Sequence, residues 1–158
     1  MDSFWETWRP REYATLCFVI RGTDVLLIRK KRGLGAGKIN GPGGRIELGE
    51  SAMEAAIRET QEELGVTPLD LAECGDLHFQ FADGYSLHCT VFTARDCEGE
   101  PIETDEAIPH WTPMAKIPFQ EMWPDDILWL PGALEGRQFR GYFHFDVEKM
   151  MSNSVEWK

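Results

Sequence analysis

Gly44-Arg-Ile-Glu-Leu-Gly-Glu50-Ser-Ala-Met-Glu-Ala-Ala-Ile-Arg58-Glu59-Thr-Gln-Glu62-Glu63-Leu-Gly65-Val66 is the stretch on which the reading of this chain turns. Its start and stop signals predict a helix over roughly 52–64. Ser51 followed by Glu54 makes a capping box, in which each side chain satisfies an orphan amide of the first turn. Gly65 suits the left-handed residue that ends a helix. Glu59, Glu62 and Glu63 stand at i, i+3 and i+4 and therefore project from one face. Met53, Ile57, Thr60 and Leu64 form a second stripe, suited to docking on a core. Three like charges on one face repel each other, and a hard divalent cation with a preference for oxygen ligands relieves that repulsion.

Working outward, 158 residues fit one domain, spanning 1–158. A hydrophobic content of 42% with 9 Phe and 6 Trp argues for a folded globule. The net charge of −11 provides no basic footprint for DNA or RNA, so no nucleic-acid polymer is expected as partner. A small anion such as a nucleotide needs only a metal ion and a few local cations. Cys17, Cys74, Cys89 and Cys97 lack C-x-x-C spacing, which excludes a zinc knuckle and a thioredoxin-type motif. With no signal-type apolar run and no stretch long enough to span a bilayer, a cytoplasmic chain with free thiols and no membrane association is the expectation.

Strands are expected at Ala14–Arg21 and Val25–Lys30, joined by a turn at Gly22-Thr-Asp24. The segment from Gly33 to Gly44 reads as loop. A hairpin around Asp83-Gly84 joins strands at Leu77–Ala82 and Ser86–Ala94. His110–Met114 is a short strand that Pro113 confines to an edge. Pro124 opens a short helix at Asp125–Leu130, which Pro131 ends. Gln138–Val147 is the last strand. Strands around one strong and one weak helix indicate α+β with a mixed sheet. The run Gly33-Leu-Gly-Ala-Gly37-Lys38 is not a phosphate loop, because Arg32 and Ile39 occupy two of that motif's required positions. The four histidines have no helical ligand spacing, and none is assigned to catalysis.

The pattern G-x5-E-x7-R-E-x-x-E-E-x-G followed by an apolar residue resembles the signature of the Nudix family, hydrolases of nucleoside diphosphates linked to other groups. Gly44, Glu50, Arg58, Glu59, Glu62, Glu63, Gly65 and Val66 all stand at its spacing. Thr60 departs from it, at a place usually aliphatic. The resemblance implies an α/β/α sandwich with a mixed central sheet and Mg²⁺-dependent hydrolysis, Mn²⁺ being an alternative ion. Among the implied metal ligands are Glu59, Glu62 and Glu63, with Gly43 and Glu106 beside them. Glu59, Glu63, Glu106 and Arg58 are the implied catalytic set, and which glutamate serves as base is open. By the helical wheel Arg58 points away from the glutamate face, so it is expected to orient Glu50 or a neighbour through a bidentate ion pair.

Segments 30–44, 102–106, 117–131 and 141–145 resemble the branch of mammalian-type MutT homologues that hydrolyse oxidised purine nucleotides. In that branch an asparagine and two adjacent aspartates read the purine edge while a tryptophan stacks on its face. These match Asn40, Asp125, Asp126 and Trp123. An amide offers both donor and acceptor, and two adjacent carboxyls in an apolar pocket tend to retain one proton. From the residues alone, Asp125 and Asp126 equally suit a first helical turn, and Trp123 and Trp129 a core. Trp129, Lys30, Thr15, Phe79, Phe81, Leu34 and Leu87 are further implied pocket positions. Leu34 and Ile39 replace aromatic residues, and Leu87 replaces a methionine. The implied activity converts oxidised purine nucleoside triphosphates, such as 8-oxo-dGTP and 2-oxo-dATP, to monophosphate and pyrophosphate, in a monomer. The alternatives are another purine substrate such as O6-methyl-dGTP or an ordinary dNTP, and a non-catalytic nucleotide-binding domain. An isoprenoid diphosphate isomerase would leave the purine-reading set unexplained.

Overall fold

The computed structural model describes residues 3–158. A single turn, α1 (Ser3–Glu6), precedes β1 (Glu12–Arg21) and β2 (Asp24–Lys30). Within the glycine-rich segment lie two short strands, β3 (Ile39–Asn40) and β4 (Gly43–Arg45). Next comes α2 (Ala52–Leu64), closed by the Ser51–Glu54 capping box and by Gly65 at φ 72°. Then follow β5 (Thr67–Leu69), β6 (Ala72–Phe81), β7 (Ser86–Ala94), β8 (Asp96–Glu98) and β9 (Ala107–Pro113). Two 3₁₀ turns at Met114–Lys116 and Phe119–Glu121 lead to α3 (Asp126–Leu134), and the chain ends with β10 (Phe139–Asp146) and β11 (Lys149–Trp157).

The main sheet runs β11-β10-β6-β7-β1-β2-β3, with β4 on β1 and β9 on β2. β1 lies parallel to β7 and β10 parallel to β6, while the remaining pairs are antiparallel, so the sheet is mixed. β5 and β8 form a separate two-stranded sheet. Alternation along the strands gives the large sheet two buried faces. Cys17, Val19, Leu26, Phe92 and Ala94 pack with Ala56 and Leu64 of α2 on one. Phe18, Leu27, Leu77, Val91 and Phe143 pack with Trp129, Leu130 and Ala133 of α3 on the other. This layering is the expected α/β/α sandwich.

Several elements differ from their sequence-based expectation. β6 begins five residues before Leu77, because a register irregularity between Glu73 and Gly75 hides its alternation. α3 continues past Pro131 to Leu134. Proline removes one helical hydrogen bond, yet the buried Trp129, Leu130 and Ala133 hold the helix on the sheet from both sides of it. The docking stripe of α2 is also displaced. Met53 is exposed, and Ala55, Ala56, Thr60, Glu63 and Leu64 are the buried positions. Thr60 donates to the Ala56 carbonyl at 2.8 Å, which lets a hydroxyl sit in that interface.

Candidate active site

Where α2 crosses β4, three carboxylates converge. Glu59, Glu63 and Glu106 each place an oxygen within 4.8 Å of the other two. At that separation, with an effective dielectric of about 20, each ionised pair repels by on the order of 3 kcal/mol. Glu63 is buried, and its Oε1 accepts one backbone hydrogen bond, from Gly43 N–H at 3.0 Å. Burial outweighs that bond, and with help from the charges of Glu59 and Glu106 the carboxyl is pushed up to about 8. Burial likewise raises Glu59, even with Arg58 beside it. An all-oxygen, electron-rich cluster of this kind is what a hard divalent ion takes as ligands. Glu106 reaches it from the loop ahead of β9, which Thr104 Oγ1 ties to the Glu63 carbonyl at 2.7 Å.

The close approach depends on glycine. A Cβ on Gly44 would lie 2.5 Å from Glu59 Cδ, and one on Gly43 would lie 2.0 Å from the Thr15 carbonyl oxygen. Arg58 clamps the outer rim. Its Nε and Nη2 donate to the two oxygens of Glu50 at 2.6 and 2.9 Å, and its Nη1 donates to Glu59 at 2.8 Å and Glu62 at 3.2 Å. The Glu50 carboxyl is accordingly held down at about 2. The guanidinium therefore does not point away from the glutamate face as the helical wheel suggests; its length lets it fold back along the helix. Glu62, half exposed, lies outside the trio and faces Arg58.

From Glu63 of this cluster an open cleft runs to Trp123, Asp125 and Asp126 at the start of α3. Its wall contains Asn40, Asp125, Asp126, Trp123, Lys30, Thr15, Phe79, Phe81, Leu34 and Leu87, together with Gly43, Gly44 and Glu63. Phe79 stacks on Phe143 and Phe81 on Phe145 across the parallel β6–β10 pair, and Trp123 meets Phe145 edge-on at 5.5 Å. Three buried polar atoms of the wall make no hydrogen bond within the protein: Thr15 Oγ1, Asn40 Nδ2 and Asp125 Oδ1. Buried polar atoms are seldom left so, and a donor and an acceptor facing one cleft call for a polar ligand.

The aspartate pair is buried at the cleft wall. Asp125 Oδ2 accepts from Trp129 Nε1 at 2.8 Å instead of capping α3. Burial raises both carboxyls, and Asp126 is driven well above the usual carboxylate range by burial, the Asp125 charge and a hydrogen bond to Asp125. The pair therefore retains a proton that ordinary aspartates would have lost. Lys30 extends its Nζ to the Leu34 carbonyl at 2.8 Å, bracing the glycine-rich loop at the cleft mouth. Lys38 from that loop sits 5.3 Å above the Trp123 ring and pairs with Glu148.

Two sequence expectations need correction. Trp129 does not line the cleft. One helical turn after Asp125, it is buried against Phe18 and Phe139 and acts on the cleft only through its N–H. Ile39 faces the core rather than the cleft. Leu16, Leu77, Cys89 and Phe145 line the cleft without having been expected there. For Leu77 and Phe145 the signal was available, since period-2 alternation puts them on the face of Phe79 and Phe81.

A family model described as the NUDIX domain matches residues 10–132. The chain belongs to the NUDIX family. It is 47% identical over 132 residues to the oxidized purine nucleoside triphosphate hydrolase of Danio rerio, spanning 83% of this chain and 85% of that one. Identity to the protein of the same name from Mus musculus is 38% over 143 residues, 89% of this chain and 92% of the other. The crystal structure of a MutT protein from Bacillus halodurans matches with a TM-score of 0.81 at 26% identity, covering 92% of this chain and 97% of that one. NUDIX hydrolases generally use divalent metal ions, and in this NUDIX chain Glu59, Glu63 and Glu106 are the acidic group suited to one.

Proposed function

We propose that this NUDIX hydrolase cleaves oxidised purine nucleoside triphosphates, such as 8-oxo-dGTP, to the monophosphate and pyrophosphate. The observation that carries the reading is a single cleft lined both by Glu63 of the glutamate trio and by the Asn40–Asp125–Asp126 set. The names of the Danio and Mus relatives support it. Mg²⁺, or Mn²⁺ in its place, would be held by Glu59, Glu63 and Glu106, with the Gly43 carbonyl and Glu62 as further candidates. Bound there, the ion neutralises phosphate charge and lowers the pKa of coordinated water.

The chain's own residues supply the rest. Arg58 fixes Glu59 through the same guanidinium that grips Glu50. A glutamate of the trio accepts the proton as water oxygen bonds to phosphorus and the bridging P–O bond breaks, pyrophosphate leaving as the second product. At the far end Asn40 offers its amide to the purine edge, protonated Asp126 donates, and ionised Asp125 accepts. Such a donor-and-acceptor pair suits a purine edge that presents both. Trp123 provides the stacking face. Lys30, Thr15, Phe79, Phe81, Leu34 and Leu87 shape the walls.

Residues 1–158 are read as one domain acting as a monomer. Four unpaired, buried cysteines fit a reducing, cytoplasmic setting. Among the described residues no helix is long and apolar enough to cross a membrane. Steady-state rates on a panel of normal, oxidised and O6-methylated dNTPs with Mg²⁺, with products identified, test the proposal. Hydrolysis of none would sink the enzyme reading, and equal rates on dGTP and 8-oxo-dGTP would sink the preference for damaged bases.

A further inference from the structure

On the sheet face opposite the cleft, the β6–β7 hairpin carries a second group of metal-type donors. His78 lies directly across from His88, and Asp76 is two residues along β6 on the same face. One ligand atom from each lies within 4.8 Å of the other two. His88 Nε2 stands 3.4 Å from Asp76 Oδ2. That is long for an N–H···O bond. It matches the separation of roughly 3.3–3.6 Å that two ligands adopt on one tetrahedral ion.

The surroundings are those of ligands already oriented. His78 Nδ1 lies 2.8 Å from the Gly141 carbonyl, which can only accept, so Nδ1 carries the proton and Nε2 keeps its lone pair. Ligating histidines are commonly backed by a carbonyl in this way. Arg140 Nε pairs with Asp76 Oδ1 as an ion pair at 3.3 Å, although that oxygen accepts no hydrogen bond within the protein, while Oδ2 lies toward His88. Glu156 stands across from Arg140 on β11. His88 Nδ1 makes no hydrogen bond within the protein. Trp5, Trp8 and Tyr142 wall in His78, and Tyr13 lies against His88. Apolar walls of this kind limit water and strengthen metal–ligand bonds.

We propose that Asp76, His78 and His88 form a second cation site, separate from the glutamate cluster, which takes a divalent transition-metal ion of the zinc class. The two sites differ in ligand chemistry. Carboxylates alone favour Mg²⁺ or Mn²⁺, whereas two imidazoles with one carboxylate favour zinc and its neighbours. Three protein ligands leave the fourth position for water.

The test uses full-length protein in excess Mg²⁺, which occupies the glutamate cluster. Cobalt(II) is added and its visible absorption followed, then zinc is titrated against it and measured by calorimetry. The expected result is an intense four-coordinate cobalt band that one equivalent of zinc displaces. The band should vanish in His78→Gln and His88→Gln and survive in Glu63→Gln. Asp76→Asn, nearly isosteric, should weaken zinc by on the order of 10-fold or more while melting near the parent temperature. Absence of zinc binding in Mg²⁺, a band that persists in both histidine variants, or loss only in Glu63→Gln would each overturn the proposal. The readout is metal binding, so its failure is distinct from any failure of nucleotide hydrolysis.

Discussion

Gly43 donates its backbone N–H to Oε1 of Glu63 across 3.0 Å, so the sheet, and not only the helix, fixes the buried carboxylate. That one bond does not offset burial, which pushes Glu63 up to about 8. Glu63→Gln keeps the acceptor for Gly43 and removes the charge. Turnover with Mg²⁺ should fall on the order of 10²–10⁴-fold while nucleotide affinity stays roughly unchanged. Without divalent ions at pH 8 or above the variant should melt higher than the parent, and Mg²⁺ should raise its melting temperature less. Unchanged turnover would remove Glu63 from the catalytic set.

Gly44→Ala tests the clearance between β4 and α2. The added methyl would start 2.5 Å from Glu59 Cδ, and a helix side chain can yield where backbone cannot. Glu59 is therefore displaced while the fold persists. A misplacement of about 1 Å can cost on the order of 10²-fold in rate, and kcat should fall by that order with little change in melting temperature. A kcat equal to the parent's would show that the position of Glu59 is not critical.

α2 was legible because its caps, glycine stop and acidic face are local signals, and β1, β2 and the β6–β7 hairpin because their patterns are short-range. Its docking face was misread for a physical reason. Glu63 occupies a core position, so the most functional residue of the helix breaks the pattern that reveals a core. β3 and β4 hide in a glycine-rich segment because their pairing with β2 and β1 is long-range. β11 is an edge strand with mostly exposed side chains, and it alternates only at Val155–Trp157. The base-reading end of the cleft was legible by resemblance only, since adjacent aspartates before a helix also suit a cap. The Asp76–His78–His88 group was invisible as a ligand set, because only hairpin register brings His88 to the other two.

Trp129→Phe separates packing from positioning. The phenyl ring can still pack on Phe18 and Phe139, but the donor to Asp125 Oδ2 is lost. A buried carboxylate deprived of a donor costs about 1–3 kcal/mol, and Asp125 should rise further, because the Trp129 bond lowers it. The expected outcome is a rise in KM for the oxidised purine on the order of 10-fold with kcat nearly unchanged. The bond should also narrow the rate difference between oxidised and normal dGTP when it is lost. If KM and selectivity stay put, Asp125 does not depend on the indole for its orientation.

The Asp125–Asp126 pair makes a signed prediction about pH. Asp126 is raised well above its ordinary value of 3.8, first by burial and then by the Asp125 charge. Native protein thus keeps a proton that the unfolded chain releases, and the native state binds more protons between the two values. The contribution to stability is fully present below the unfolded value and is lost as pH rises through the folded one. Asp126→Asn mimics the protonated carboxyl and cannot ionise. Urea unfolding of parent and variant from pH 4 to pH 8 should show the parent losing ground to the variant steadily as pH rises. Taking the difference between the two cancels the carboxylates remote from the pair, including the glutamate cluster, and leaves the titration of the coupled Asp125–Asp126 pair. A difference that is flat, or that grows in the parent's favour, would mean that Asp126 is ionised in the folded protein and cannot donate to a purine.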